Sequence, residues 1–311
     1  MSEKTNWYEH KEKTKLGYRL MLFTLKVFPA VFMRFLAYII GFFYWLFGAK
    51  ARKFSRDFLQ TRSKIAGDRK KSTLSHFISF ALNLAENVQS WAGKFKFDCV
   101  TWQNDDVGDL VKNINSGKGT LLITSHLGNA QMLKGLATLG ESGTEKKMSI
   151  TTIMDLNISA GFGALLKEIN KDSAFQIISS NNIGPDTIIL LQDRLEKGEV
   201  VVIAGDRISA NTERCLDVNF LGRPAKLPYG VFLMVSLLNV PTYFIYGVRH
   251  KDLTVNPAYD MFVSKNPLDF DCGRKERENR INQTAQTYIQ TLEKQALSHP
   301  YQWYNFYSFW D

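Results

Sequence analysis

Cysteine is scarce in this chain. Its three cysteines, Cys99, Cys215 and Cys272, are too few and too far apart for a disulfide framework or a Cys-x-x-Cys zinc site, so a reducing compartment is the default. Histidine is also sparse: His10, His76, His126, His250 and His299 are scattered and none pairs with another at metal-ligand spacing, leaving no support for a metal centre. A P-loop is missing, and Gly161-Phe-Gly163 lacks the third glycine of a dinucleotide fingerprint and reads as a turn. Internal repeats are absent too. What the chain does have is 311 residues, 45% hydrophobic and 13% aromatic, which excludes a disordered or collagen-like chain and is ample for a full core.

The net charge of +9 is unevenly placed. Residues 1–71 hold 16 Lys and Arg against 5 Asp and Glu, and the remaining 240 hold 23 against 25. The basic charge flanks the most apolar stretch, Leu20 to Phe47, in which 10 of 28 residues are aromatic. Nucleic acid would account for the charge but not for these neighbours, whereas an anionic lipid surface accounts for both. Lys26, Pro29 and Arg34 interrupt the stretch, and its longest uncharged run, Phe35 to Ala49, has 15 residues, short of the roughly 20 that a spanning helix needs. Lys15, Arg19 and Lys26 fall on one helical face, leaving an apolar face for lipid. Residues 1–50 are therefore read as an amphipathic helical segment lying in the membrane interface. A single span with a snorkelling Arg34, or burial against the protein's own core, are the alternatives.

Residues 51–311 form the body, with a helical lead-in over 51–95. Beyond it, short β-branched runs at 119–124, 149–153, 175–178 and 200–204 read as buried strands, separated by helix candidates at 127–138, 158–169 and 185–197. A helix at 229–238, strands near 242–248 and 253–262, and a polar helix over 274–297 follow. This alternation predicts an α/β fold, a mostly parallel or mixed sheet flanked by helices. Asp105-Asp106 reads as a solvated loop. The chain closes on residues 301–310, seven of them aromatic, a segment docked on the body or on the membrane.

In an open parallel sheet, sites gather where strands deliver their carboxyl ends into loops. Two places qualify. Thr124-Ser-His-Leu-Gly-Asn-Ala-Gln131 carries a strand into His126, whose ring suits a general base or, equally, a structural hydrogen bond. Ile203-Ala-Gly-Asp-Arg207, followed by Phe220-Leu-Gly-Arg-Pro-Ala225, offers either a salt bridge or a cation for an anionic substrate.

Taken together these blocks resemble the lysophospholipid acyltransferase superfamily, in the branch that includes the bacterial lipid A late acyltransferases. The basic apolar N-terminus and Trp303 near the end also resemble that branch. The resemblance implies transfer of a fatty acyl group from an acyl carrier protein or coenzyme A thioester to a hydroxyl or amine of a lipid, with no cofactor, no metal and no nucleic acid. It places the protein peripherally on the cytoplasmic face of the inner membrane. It makes His126 the base, with Ser125, Gly128, Asn129, Asp206, Arg207 and Arg223 binding substrate. The family's acid, five residues after the histidine, is replaced here by Gln131. An amide can orient the ring but carries no charge to stabilise imidazolium, so a slow enzyme, an acid recruited from elsewhere, or a lipid-binding or assembly protein on the same fold are the readings this departure opens. A membrane-associated hydrolase is a more distant one, since the chain has no nucleophile-elbow motif.

Overall fold

The computed structural model describes residues 29–91, 99–103, 106–130, 133, 148–154, 175–180, 183–208, 214–254 and 258–310. The candidate basic face of Lys15, Arg19 and Lys26, the helix candidate at 158–169, and Gln131 lie outside them. Seven helices occur among the described residues: α1 (Ala30–Phe47), α2 (Ala49–Ala66), α3 (Thr73–Trp91), α4 (Asp106–Asn115), α5 (Pro185–Glu196), α6 (Tyr229–Leu238) and α7 (Arg274–Ser298).

Seven strands, β1 (Val100–Trp102), β2 (Thr120–Thr124), β3 (Ile150–Met154), β4 (Phe175–Ser179), β5 (Val200–Ala204), β8 (Thr242–Arg249) and β9 (Tyr259–Lys265), pair in the order β1-β9-β8-β2-β5-β3-β4. A two-stranded hairpin, β6 (Cys215–Phe220) and β7 (Arg223–Pro228), stands apart. The segment from β8 to β4 is parallel throughout, and β9 turns back antiparallel on β8. The fold is thus α/β with a mixed, mostly parallel sheet flanked by helices.

The side-chain period of two divides each strand between two cores. Leu121, Ile123, Val201, Ile203, Phe244 and Tyr246 join α5, α6, α7 and the hairpin on one face. Leu122, Val200, Val202, Tyr243, Ile245 and Met261 meet Leu110 of α4 on the other. Burial on both faces is why these strands read as continuous apolar runs rather than alternating ones.

Several sequence expectations need correction. Asp106 opens α4 and does not lie in a solvated loop: a first-turn carboxylate is favoured by the helix dipole, and this one also accepts the Lys265 N–H at 3.1 Å. Residues 127–130 are not helical. The strand expected at 253–262 begins at Tyr259. The block at 220–225 is a hairpin turn, with Leu221 and Gly222 both at positive φ (52° and 71°), the conformation of a two-residue type I′ loop.

Among the described residues no single helix is long and apolar enough to cross a membrane, but Val31–Phe47 and Ala49–Ala66 pass that test together and are bent by 98°. The bend falls at Gly48, where an added Cβ would lie 2.6 Å from Tyr44 O. α1 packs against α3 and leaves Phe35, Ile40, Phe43 and Phe47 exposed. Arg34 does not snorkel outward: its guanidinium donates to Gln89 of α3 at 2.9 Å.

A buried histidine ties the helical lead-in to the chain's end. His76 Nε2 donates to Trp303 O at 3.0 Å, which leaves Nδ1 to accept the Ser55 hydroxyl at 2.9 Å. Burial pulls the ring down to about 4, and the carbonyl bond offsets this only in part. The folded ring stays neutral at pH values where the unfolded one, at about 6.5, is protonated. Stability from this site is therefore whole above pH 6.5 and drains away as pH falls toward 4, by on the order of 3 kcal/mol. Thermal unfolding at about pH 7.5 and about pH 5 is expected to show a steeper loss for the wild type than for His76→Gln. Equal losses would mean that this ring is not the titrating group.

Candidate active site

The geometry begins with strand register. β2 and β5 are adjacent and parallel, with Thr124 opposite Ala204, and the Gly205 N–H extends the ladder to Thr124 O at 2.9 Å. His126 and Asp206 each stand two residues beyond those aligned ends, so two positions 80 residues apart arrive side by side at the carboxyl edge of the sheet. His126 Nδ1 lies 2.8 Å from Asp206 Oδ1, and the His126 backbone N–H donates to Asp206 Oδ2 at 2.9 Å. The carboxylate that meets the ring is thus Asp206, from the neighbouring strand, while Gln131 lies outside the described residues.

The carboxylate is 1% exposed and the imidazole 34%. Burial pushes the Asp206 carboxyl up, but the His126 charge, its two N–H bonds and Arg207 outweigh it and hold the group below the usual carboxylate range. With a charged acceptor at Nδ1, the ring proton sits on that nitrogen. Nε2 then carries the free lone pair, and it makes no hydrogen bond among the described residues. Burial, reinforced by the Arg207 charge, lowers the His126 pKa against the opposing pull of Asp206, so the ring is neutral and basic near neutral pH. Arg207 is exposed beside it, its guanidinium 5.5 Å from the centre of the Tyr307 ring.

The other predicted site residues divide. Ser125 is buried and its hydroxyl accepts the Leu127 N–H at 3.1 Å. Gly128 sits at φ 68°, with its N–H on Gln302 O at 2.7 Å, and Asn129 is buried with its N–H on Gly247 O at 2.6 Å. These three shape the loop that carries the histidine. Arg223 pairs instead with Asp57 of α2 at 2.9 Å and lies 4.3 Å from the centre of the Trp310 ring. No described contact joins it to His126 or Asp206.

Gly128 has no substitute. A Cβ there would lie 2.1 Å from Gly247 O, in a backbone conformation that already costs a side-chain residue about 1–2 kcal/mol. Gly128→Ala is expected to lower stability by roughly 2 kcal/mol or more, read as a lower urea midpoint with an unchanged m-value.

The residues that sequence reasoning missed come from the chain's end. Leu127 pairs with Trp303 as an isolated bridge, and the Tyr304 N–H donates to His126 O at 2.9 Å. Trp303 is fully buried among Phe58, Phe220 and Phe309, so the closing aromatic segment docks on the body. Its density of aromatics was visible in the sequence, but not its contact with the dyad.

Among the described residues no group of three or more His, Cys, Asp and Glu side chains is placed to hold a metal ion. The arrangement offers one neutral base, one charged orienting acid and one neighbouring cation. Searched against protein-family models and against curated proteins, the chain matches none.

Proposed function

We propose that the protein is a membrane-associated acyltransferase that moves a fatty acyl group from an acyl carrier protein or coenzyme A thioester to a hydroxyl or amine of a lipid or lipid precursor. The observation that carries this reading is the His126–Asp206 pair at the carboxyl edge of the sheet, with Nε2 unengaged among the described residues and Arg207 alongside. The exposed apolar side of α1 and the exposed Lys50, Lys53 and Arg56 on α2 support its placement at a lipid interface; the cytoplasmic face of the inner membrane is what the family resemblance implies.

In this reaction Nε2 takes the proton from the acceptor as its oxygen or nitrogen attacks the thioester carbonyl. Asp206 holds the ring through Nδ1–H and stabilises the imidazolium that forms. The C–S bond then breaks, and the leaving thiolate takes the proton from Nε2, so the base is regenerated. Arg207 supplies positive charge to the developing oxyanion or to a phosphate of either substrate.

Acyl-thioester consumption with a panel of lipid acceptors tests the reading: the wild type should turn over and His126→Ala should not. Because Asp206 occupies Nδ1, Gln131→Glu is expected to change turnover by no more than a few-fold. A rise of about tenfold or more would return the acid role to position 131. Absence of turnover in a folded wild type across the panel would favour the lipid-binding or assembly protein.

A further inference from the structure

The geometry points to Trp303 and Tyr307 as positioning residues of the dyad, making the closing aromatic segment a constituent of the site. The inference rests on the acyltransferase reading only for its kinetic consequence. Asp206 Oδ2 accepts two donors, the His126 backbone N–H at 2.9 Å and the Trp303 indole N–H at 3.4 Å. Oδ1 is thereby left to the imidazole. The Tyr307 hydroxyl donates to Asp206 O at 3.0 Å, and its ring lies beneath the Arg207 guanidinium. Main-chain bonds on either side, Gly128 N–H to Gln302 O and Tyr304 N–H to His126 O, fasten the histidine loop to the same segment. The base, the acid and the cation are therefore each held by residues 302–307.

This placement has a supporting frame of its own. Trp303 lies in an aromatic cluster with Phe58, Phe220, Phe309 and Trp310. Its carbonyl is held by His76, and the Gln302 side chain bonds both the N–H and the carbonyl of Arg249 at 2.7 and 2.8 Å. An indole fixed on this many sides can keep a buried carboxylate in one rotamer. A carboxylate with one oxygen fully engaged offers the ring a single geometry.

The test uses the full chain and two variants. Trp303→Phe keeps a ring in the cluster and removes the N–H, and Tyr307→Phe removes only the hydroxyl bond to Asp206. Trp303→Phe is expected to lower kcat about tenfold with KM unchanged, the scale of one hydrogen bond to a charged group. In the same variant the His126 pKa, followed by NMR of ring-labelled protein, is expected to rise, because a carboxylate that has lost a donor places more of its charge on the imidazole. The titratable groups facing the pair are Arg207 and the phenols of Tyr246, Tyr288 and Tyr307, which burial keeps neutral and which all remain in Trp303→Phe. Tyr307→Phe should lower kcat by a smaller factor and decides the question if Trp303→Phe does not fold. Folded variants with wild-type kcat and a wild-type His126 titration would overturn the inference. If the wild type itself transfers no acyl group, the functional reading fails, while the NMR titration still decides the positioning role.

Discussion

On the acyltransferase reading, Asp206→Asn is expected to lower turnover by about 10³- to 10⁴-fold with the fold intact, by analogy with the acid-to-amide change in a Ser-His-Asp triad. The amide is nearly isosteric and can still accept the His126 backbone N–H. It cannot oppose the charge that the ring gains as it takes the acceptor's proton. The pH profile carries a second signature. Asp206 raises the His126 pKa against burial and Arg207, so its neutralisation should move the acid limb of the profile to lower pH while the plateau falls. The proposed base works when neutral, so the wild-type rate should rise with pH through a value lower than that of an ordinary histidine and then level off. An Asp206→Asn variant with near wild-type turnover would remove the carboxylate from the proposed mechanism.

Replacing Phe35, Phe43 and Phe47 together by serine is expected to weaken binding to anionic vesicles by about 100-fold or more. The three are 60%, 50% and 78% exposed, so little of the folded core is disturbed. Half-exposed rings withdrawn from water contribute about 1 kcal/mol each or somewhat more, and about 2.7 kcal/mol is a factor of 100. Charge reversal at Lys50, Lys53 and Arg56 should weaken the same binding by about 1 kcal/mol per residue at low salt, and by little at high salt. Vesicle co-sedimentation at two ionic strengths separates the two contributions. Unchanged sedimentation of the triple-serine variant would assign the lipid contact to another surface.

Much of the architecture was legible because β2, β3 and β5 are short, β-branched and buried on both faces, and α6 and α7 begin at the expected residues. The hairpin was not, since prolines at 224 and 228 hide β7, and β1 is only three residues long. At the site, both halves of the pair were visible as strand ends, while the partner that the family resemblance implies for His126 falls at Gln131, outside the described residues. That both halves follow strands of one sheet was enough to expect them in one crevice; the shared offset of His126 from Thr124 and of Asp206 from Ala204 is what turns that proximity into a hydrogen bond. Trp303 offered no such clue, because nothing in an aromatic run tells which ring meets a carboxylate.

The register of β2 on β5 also bears on the kinetics of folding. Between these strands the chain builds β3, β4 and α5, and the Leu127–Trp303 bridge spans more sequence still. Contacts of such long separation require loop closure before they return any stabilisation, which puts them late in a folding reaction. Helices such as α2 and α7, formed from local contacts, should recover their circular-dichroism signal on refolding before the sheet is complete. The His126–Asp206 pair would then assemble in the slowest phase, when β5 seats beside β2 and the aromatic segment closes over it.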